Sequence, residues 1–174
     1  MSDAAGARAK HSGWPLPSGS PHEARCYSTR VFTVELKDAA GRMPVHFHIM
    51  AAAGLPASVV SAQLELMQQL APSVGMRYYF LVTTDWVRGW DMINGGQVFN
   101  LPTATLFSAY TGNDEAKIRG AGPEYLAELT QAWLADLTYH WQSRDTSAPG
   151  ERDMQHGGIL GLVRSAATAV TASL

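Results

Sequence analysis

Apolar and polar positions change period several times along the chain, and each change predicts an element. Val31, Phe32, Val34 and Leu36 form a β-branched and aromatic run, residues 38–41 (Asp-Ala-Ala-Gly) are a turn sequence, and residues 45–50 are apolar again. This predicts a β-hairpin over 31–50. Pro56 stands where a first helical turn tolerates it. Val59, Val60, Gln63, Leu64, Leu66, Met67 and Leu70 then recur at intervals of three and four, predicting an amphipathic helix over 56–71 that Pro72 ends. Residues 78–84 (YYFLVTT) are nearly continuously apolar and rich in β-formers, as expected of a central strand covered on both faces. Residues 86–91 alternate, predicting a more exposed strand closed by Asn94-Gly95-Gly96. A short helix is expected over 102–110, ended by Gly112. A longer one opens at Pro123 and runs to 141 with Leu126, Leu129, Trp133, Leu137 and Trp141 on one stripe.

The flanks differ from this core. Residues 1–29 are rich in Ala, Gly, Ser and Pro with few apolar anchors, the composition of a disordered arm. The domain itself is expected over 30–142. Residues 143–157 (SRDTSAPGERDMQHG) read as a linker, and 158–174 as a C-terminal amphipathic helix whose face is Ile159, Leu162, Val163, Ala166 and Val170. There is no internal repeat.

Composition narrows the picture without deciding it. The 174 residues, 46% hydrophobic and 16% charged, suit one domain with a sizeable core. A net charge of −2 lacks the basic excess of a phosphate-tracking surface, which argues against nucleic acid as the partner. A single cysteine, Cys26, forms no internal bridge, and the first ten residues carry no apolar run of the signal-peptide kind, so a cytoplasmic protein is expected. No stretch is apolar and long enough for a membrane span.

Hairpin, helix, buried strand and exposed strand, in that order over 31–91, resemble the core of the PD-(D/E)XK, or restriction-endonuclease-like, superfamily. The resemblance implies an α/β (α+β) fold: a mixed β-sheet with flanking helices. In that family an acidic residue on the first hairpin strand and a Glu-x-Lys on the second hold a divalent metal and orient the attacking water, and the next helix often carries a glutamine. In the phrase Val45-His46-Phe47-His48-Ile49-Met50-Ala51 the Glu position falls on His48 and the Lys position on Met50. Glu35, thirteen residues earlier, stands near the first acidic position, and Gln63 matches the helix glutamine. Glu35, His48, Met50 and Gln63 are therefore the candidate vestigial site. The sequence around Arg77, Asp85, Trp90 and Asp91 is also similar to bacterial proteins of unknown function in this superfamily.

Other readings of the same residues stand beside it. Glu35-Leu36-Lys37 is a literal Glu-x-Lys, but its acidic partner would have to be Glu23 in the arm. Exposed strands commonly carry such pairs. Alternation puts His46, His48 and Met50 on one face, which suits either a metal face or ordinary half-buried histidines. A cupin-like site would want a glutamate soon afterwards, and residues 51–54 (AAAG) supply none; His140 and His156 have no ligand spacing to the pair. No metal is expected from these residues. The tryptophans at 86 and 90 read as lids of the core rather than a base-stacking platform. Asn94-Gly95-Gly96 is too short for a phosphate loop. Cys26 and His22 lie in the arm, a poor setting for a tuned thiolate, and Ser28 and Ser61 have no nucleophile-elbow context.

The function expected from these readings is a non-catalytic nuclease-fold module that binds a partner protein, or a component of a larger assembly, docking through its C-terminal helix and needing no cofactor. A homo-oligomer stays open. The alternative is a divalent-metal-dependent nuclease, with Mg²⁺, that uses Glu35 with Lys37 or His48.

Overall fold

A computed structural model describes residues 31–166 and, for the backbone alone, 170–173. The expected arm, with His22, Glu23 and Cys26, lies outside the described residues. The strands are β1 (Phe32–Leu36), β2 (Val45–Ile49), β3 (Tyr78–Val82), β4 (Trp86–Asp91), β5 (Gln97–Pro102) and β6 (Val170–Ser173). The helices are α1 (Ala57–Val74), α2 (Thr103–Phe107), α3 (Glu115–Arg119), α4 (Pro123–Tyr139), α5 (Glu151–His156) and α6 (Leu160–Ala166). The fold is α/β: one mixed sheet in the order β5-β4-β3-β2-β1-β6, in which only β2 and β3 pair in parallel, across the α1 crossover. Among the described residues no helix is long and apolar enough to cross a membrane.

Strand periodicity divides the side chains between two layers. Val34, Leu36, Val45, Phe47, Ile49, Tyr78, Phe80 and Val82 join the larger core with α4, whose Leu126, Leu129, Trp133 and Leu137 are buried as the stripe requires. Trp133 is its hub: its ring stands edge-on to Phe47 and Phe107, and its Nε1–H donates to the Pro149 carbonyl at 2.8 Å. Trp141, expected on the same stripe, leaves it. The helix stops at Tyr139 because His140 turns left-handed (φ 49°), and Trp141 is 47% exposed. The buried Asp136 carboxylate holds this reversal, accepting from the backbone N–H of Gln142 and of Ser143 and from the Tyr110 hydroxyl. On the other face Tyr79, Leu81 and Trp90 pack with Val60, Met67 and Ala71 of α1. The expected arrangement, with the hairpin beside 78–84 and one helix over each face, is therefore present.

Four expectations need correction. The helix expected to stop before Pro72 runs to Val74. Proline in a last turn forfeits one hydrogen bond, here to a carbonyl of an exposed turn that water can reach.

Residues 143–157 are not a free linker: Ala148 and Met154 are buried in the main core, and Gly150 turns left-handed (φ 71°) where a methyl would meet Leu101 and Leu106 at 3.0 Å. The domain expected to close at 142 therefore extends through α6. Finally, 158–174 is not one helix. Leu160–Ala166 is helical, but Val170–Ser173 is a strand paired antiparallel with β1, Val170 opposite Leu36. The β-branched Val170 and Thr171 favour that outcome. Ile159, Val163 and Ala166 are buried and Leu162 packs partly against the same core. Ile159, Val163 and Ala166 of the face expected to dock on a partner are thus taken up by the chain's own interior, and Arg164 fastens α6 by donating to the Leu137 carbonyl at 3.1 Å and to Glu151 Oε1 at 2.7 Å.

Candidate functional site

The positions singled out by the hairpin phrase lie on the α1 side of the sheet. β1 and β2 pair with Glu35 opposite His46 and Thr33 opposite His48, and β2 and β3 with His46 beside Tyr79. Period two then sets Glu35, His46, His48, Tyr79 and, one strand further, Trp90 on a single face. The rings form a column, with His46 stacked on Tyr79 at 6.0 Å and Tyr79 on Trp90 at 6.1 Å between centroids. His48 meets Tyr79 edge-on at 6.2 Å.

Two polar pairs sit on this column. Glu35 Oε1 lies 3.9 Å from His46 Nδ1, and its other oxygen lies 3.5 Å from Lys37 Nζ. Gln63, reaching down from α1, lies with Nε2 3.3 Å from His48 Nδ1. Glu35, His48 and Gln63, expected to converge within hydrogen-bonding reach of one shallow cleft, share one face but do not meet at one point: the register gives Glu35 to His46, and His48 and Gln63 pair on the next rung. Met50, the position of the family's lysine, is half-buried against the apolar cluster beneath α1. Lys37 stands beside Glu35, one residue past the end of β1.

Burial controls the protonation of this face. His48 is pushed down to about 4, chiefly by desolvation and secondarily by His46, so it is neutral at pH 7. His46, 9% exposed, is also lowered by burial, with Glu35 working in the opposite sense. The Tyr79 hydroxyl is pushed far above the ordinary tyrosine range by burial. Gln63 works weakly in the opposite sense, and Tyr79 Oη and His46 Nδ1 are both buried without a hydrogen bond, His46 keeping only the 3.9 Å approach of Glu35. Among the described residues no three His, Cys, Asp or Glu side chains converge as a metal would need.

The tryptophans act as lids. Trp90 is buried, and Trp86 is covered by the Arg88 guanidinium at 4.1 Å. A cavity of about 260 Å³ lies away from these residues, on the α4 side, between Leu36, Leu134, Thr138 and Val163.

One surface was not anticipated. The apolar positions of α1 do not form one buried face: Val60 and Met67 are buried, whereas Val59, Leu66 and Leu70 are 39%, 48% and 44% exposed. The signal was present, because apolar positions from 59 to 70 span too wide an arc for one helix–sheet contact. Gln63 joins the two regions, lying between these exposed residues along the helix and touching His48 below.

Compared with protein-family models, curated proteins and solved structures, the chain matches none of them.

Proposed function

We propose that this chain is a non-catalytic, nuclease-like module that binds a partner protein within a larger assembly. The observation that carries the reading is the outer face of α1, where Val59, Leu66 and Leu70 remain 39–48% exposed on a helix whose single charge is Glu65. A surface helix normally turns charged residues outward, and a run of exposed aliphatics marks a contact surface. Covering three half-exposed aliphatic side chains contributes on the order of 1 kcal/mol each. The site positions support the same reading. Where the resemblance asks for a carboxylate and an ammonium, the chain carries a neutral His48 and the thioether of Met50. Neither can take the roles of holding Mg²⁺ and activating water. The bacterial cytoplasm is the expected setting, supported by the lone Cys26.

One observation favours a second reading, a divalent-metal-dependent nuclease: Glu35 stands within 4 Å of both Lys37 and His46. Incubating the purified protein with single- and double-stranded DNA and RNA in Mg²⁺ or Mn²⁺ separates the two. The binding-module reading expects intact substrates. Metal-dependent cutting that disappears in Glu35→Ala would overturn it.

A further inference from the structure

We infer that the Asn94-Gly95 dipeptide is a latent deamidation site, held closed by Asp91 in the folded chain and released when the turn between β4 and β5 opens.

The chemistry belongs to the two residues themselves. An asparagine followed by glycine can cyclise because no side chain on the second residue hinders the attack. The Gly95 nitrogen, after giving its proton to solvent base, bonds to Asn94 Cγ, and the Cγ–Nδ2 bond breaks as the amide leaves, with a proton from water, as ammonia. Water then opens the five-membered imide at either carbonyl, giving aspartate or its β-linked isomer. The place suits this reaction. Residues 93–97 are exposed, Gly95 has φ 73°, and a methyl built on it meets nothing within 4 Å, so solvent reaches both reacting groups. The chain's other two asparagines, Asn100 and Asn113, are followed by Leu101 and Asp114, whose side chains crowd the backbone nitrogen.

Asp91, at the end of β4 and 5% exposed, holds the site closed. Its backbone carbonyl accepts from the Gly95 N–H, the attacking nitrogen, at 2.8 Å. Its Oδ2 accepts from Asn94 Nδ2, the leaving amide, at 2.8 Å, and its Oδ1 accepts from the backbone N–H of Ile93 at 2.8 Å and of Asn94 at 3.1 Å. The nitrogen must drop its hydrogen bond to become a nucleophile, and the Asn94 side chain must leave Asp91 to swing over it. The neighbouring carboxylate also disfavours an anionic nitrogen. Reaction therefore waits for local opening of the turn, which costs at least the charge-assisted bond. The product cannot close the site again: a carboxylate at position 94 sets an oxygen where Nδ2 donated to Asp91, like charge against like charge.

Peptide mapping by mass spectrometry of the full chain, held in mildly alkaline buffer with and without denaturing urea, tests this. In urea, Asn94 should gain one mass unit well ahead of Asn100 and Asn113. In the folded chain the same change should be at least about tenfold slower, the factor that one charge-assisted hydrogen bond contributes. Asp91→Asn removes the carboxylate but keeps the backbone carbonyl. With an unchanged circular dichroism spectrum it should deamidate at Asn94 several-fold faster than wild type, while Asn100 keeps its wild-type rate because the fold stays shut elsewhere. Where Asp91→Asn does not fold, a further pair decides: Asn94→Asp should melt below Asn94→Ala, because both lose the bond to Asp91 and only the first adds a repelling charge. A wild-type chain that deamidates at Asn94 equally fast folded and unfolded would overturn the inference. So would a folded Asp91→Asn chain that keeps full protection, or an Asn94→Asp chain as stable as Asn94→Ala, since the Asp91 carboxylate would then not face residue 94.

Discussion

Replacing Gly89 by alanine should damage the core far more than adding one methyl group usually does. Gly89 faces Phe80 across the β3–β4 ladder, and a Cβ built there lies 2.5, 2.8 and 2.9 Å from Phe80 Cε1, Cζ and Cδ1. Carbon atoms pack at about 3.5–4.0 Å, so the ring would have to withdraw by roughly 1 Å. It has nowhere to go. Phe80 is fully buried, stacked on Phe47 at 4.6 Å and edge-on to Phe99 at 5.6 Å, and both of those rings rest on Trp133. Overpacking a dense core costs about 1–3 kcal/mol, and three contacts this short put Gly89→Ala at the upper end, about 3 kcal/mol. For a chain of this size that corresponds to a fall in Tm of about 6–12 °C. Urea unfolding followed by tryptophan fluorescence measures it. In a Phe80→Ala background the methyl has room, and Gly89→Ala should then cost less than about 1 kcal/mol, a coupling expected of residues in contact. A Gly89→Ala chain within about 0.5 kcal/mol of wild type, or one whose penalty is the same with and without the ring, would refute the reasoning.

Acid should weaken the fold through the β2 histidines. His48 titrates at about 4 in the folded chain against an ordinary 6.5, so the unfolded chain takes up a proton that the folded chain refuses, and stability present above pH 6.5 is lost as pH falls through that window. The loss between pH 7 and about pH 4.5 should be on the order of 2 kcal/mol, and His48→Gln should remove most of it; urea midpoints that keep their full pH dependence in the variant would contradict the assignment. Deleting residues 158–174 should also be severe, because it strips Ile159, Val163 and Ala166 from the core together with the Arg164 bonds. At about 2–5 kcal/mol for each large buried side chain the loss approaches a domain's whole stability, and a truncated chain that melts within a few degrees of the full one would show that the tail is peripheral.

The elements legible in the sequence were those with an unbroken period. The 31–50 hairpin and the 123–139 helix each repeat one spacing long enough to reveal a face, the 78–82 strand is an unbroken apolar run buried on both faces, and the structure pairs or packs them accordingly. The shorter pieces were hidden because tertiary contacts define them. Helix 151–156 buries one residue deeply, Met154, amid polar neighbours, and no periodicity can emerge from a single anchor. The tail misled for the opposite reason: small apolar residues from 159 to 170 fit a helical spacing, but the choice between helix and strand at 170–173 is made by an open edge of β1, which local sequence does not contain. At the site, alternation put His46, His48 and Met50 on one face, but whether Glu35 of the neighbouring strand falls opposite His46 or His48 is a matter of register. One residue of slip would have moved every side chain to the other face. The exposed stripe of α1 is not visible in the sequence because periodicity reports which residues are apolar, not how much of a helix its sheet can cover.

The pairing of β6 with β1 also bears on the order in which the sheet assembles. Thr33 is opposite Ser173, so the rung closes a span of 140 residues, whereas Leu36 opposite Val45 closes a span of nine. Loop-closure entropy puts these at about 4 and about 2 kcal/mol. The hairpin can therefore form early, while the outermost rung is a non-local contact that waits for the rest of the sheet, the kind of pairing that slows folding. Until then β1 presents unpaired N–H and C=O groups to any strand that drifts past, including the same segment of another molecule. In native hydrogen exchange, the amides of 170–173 should open before those of 78–82, which lie at the middle of the ladder.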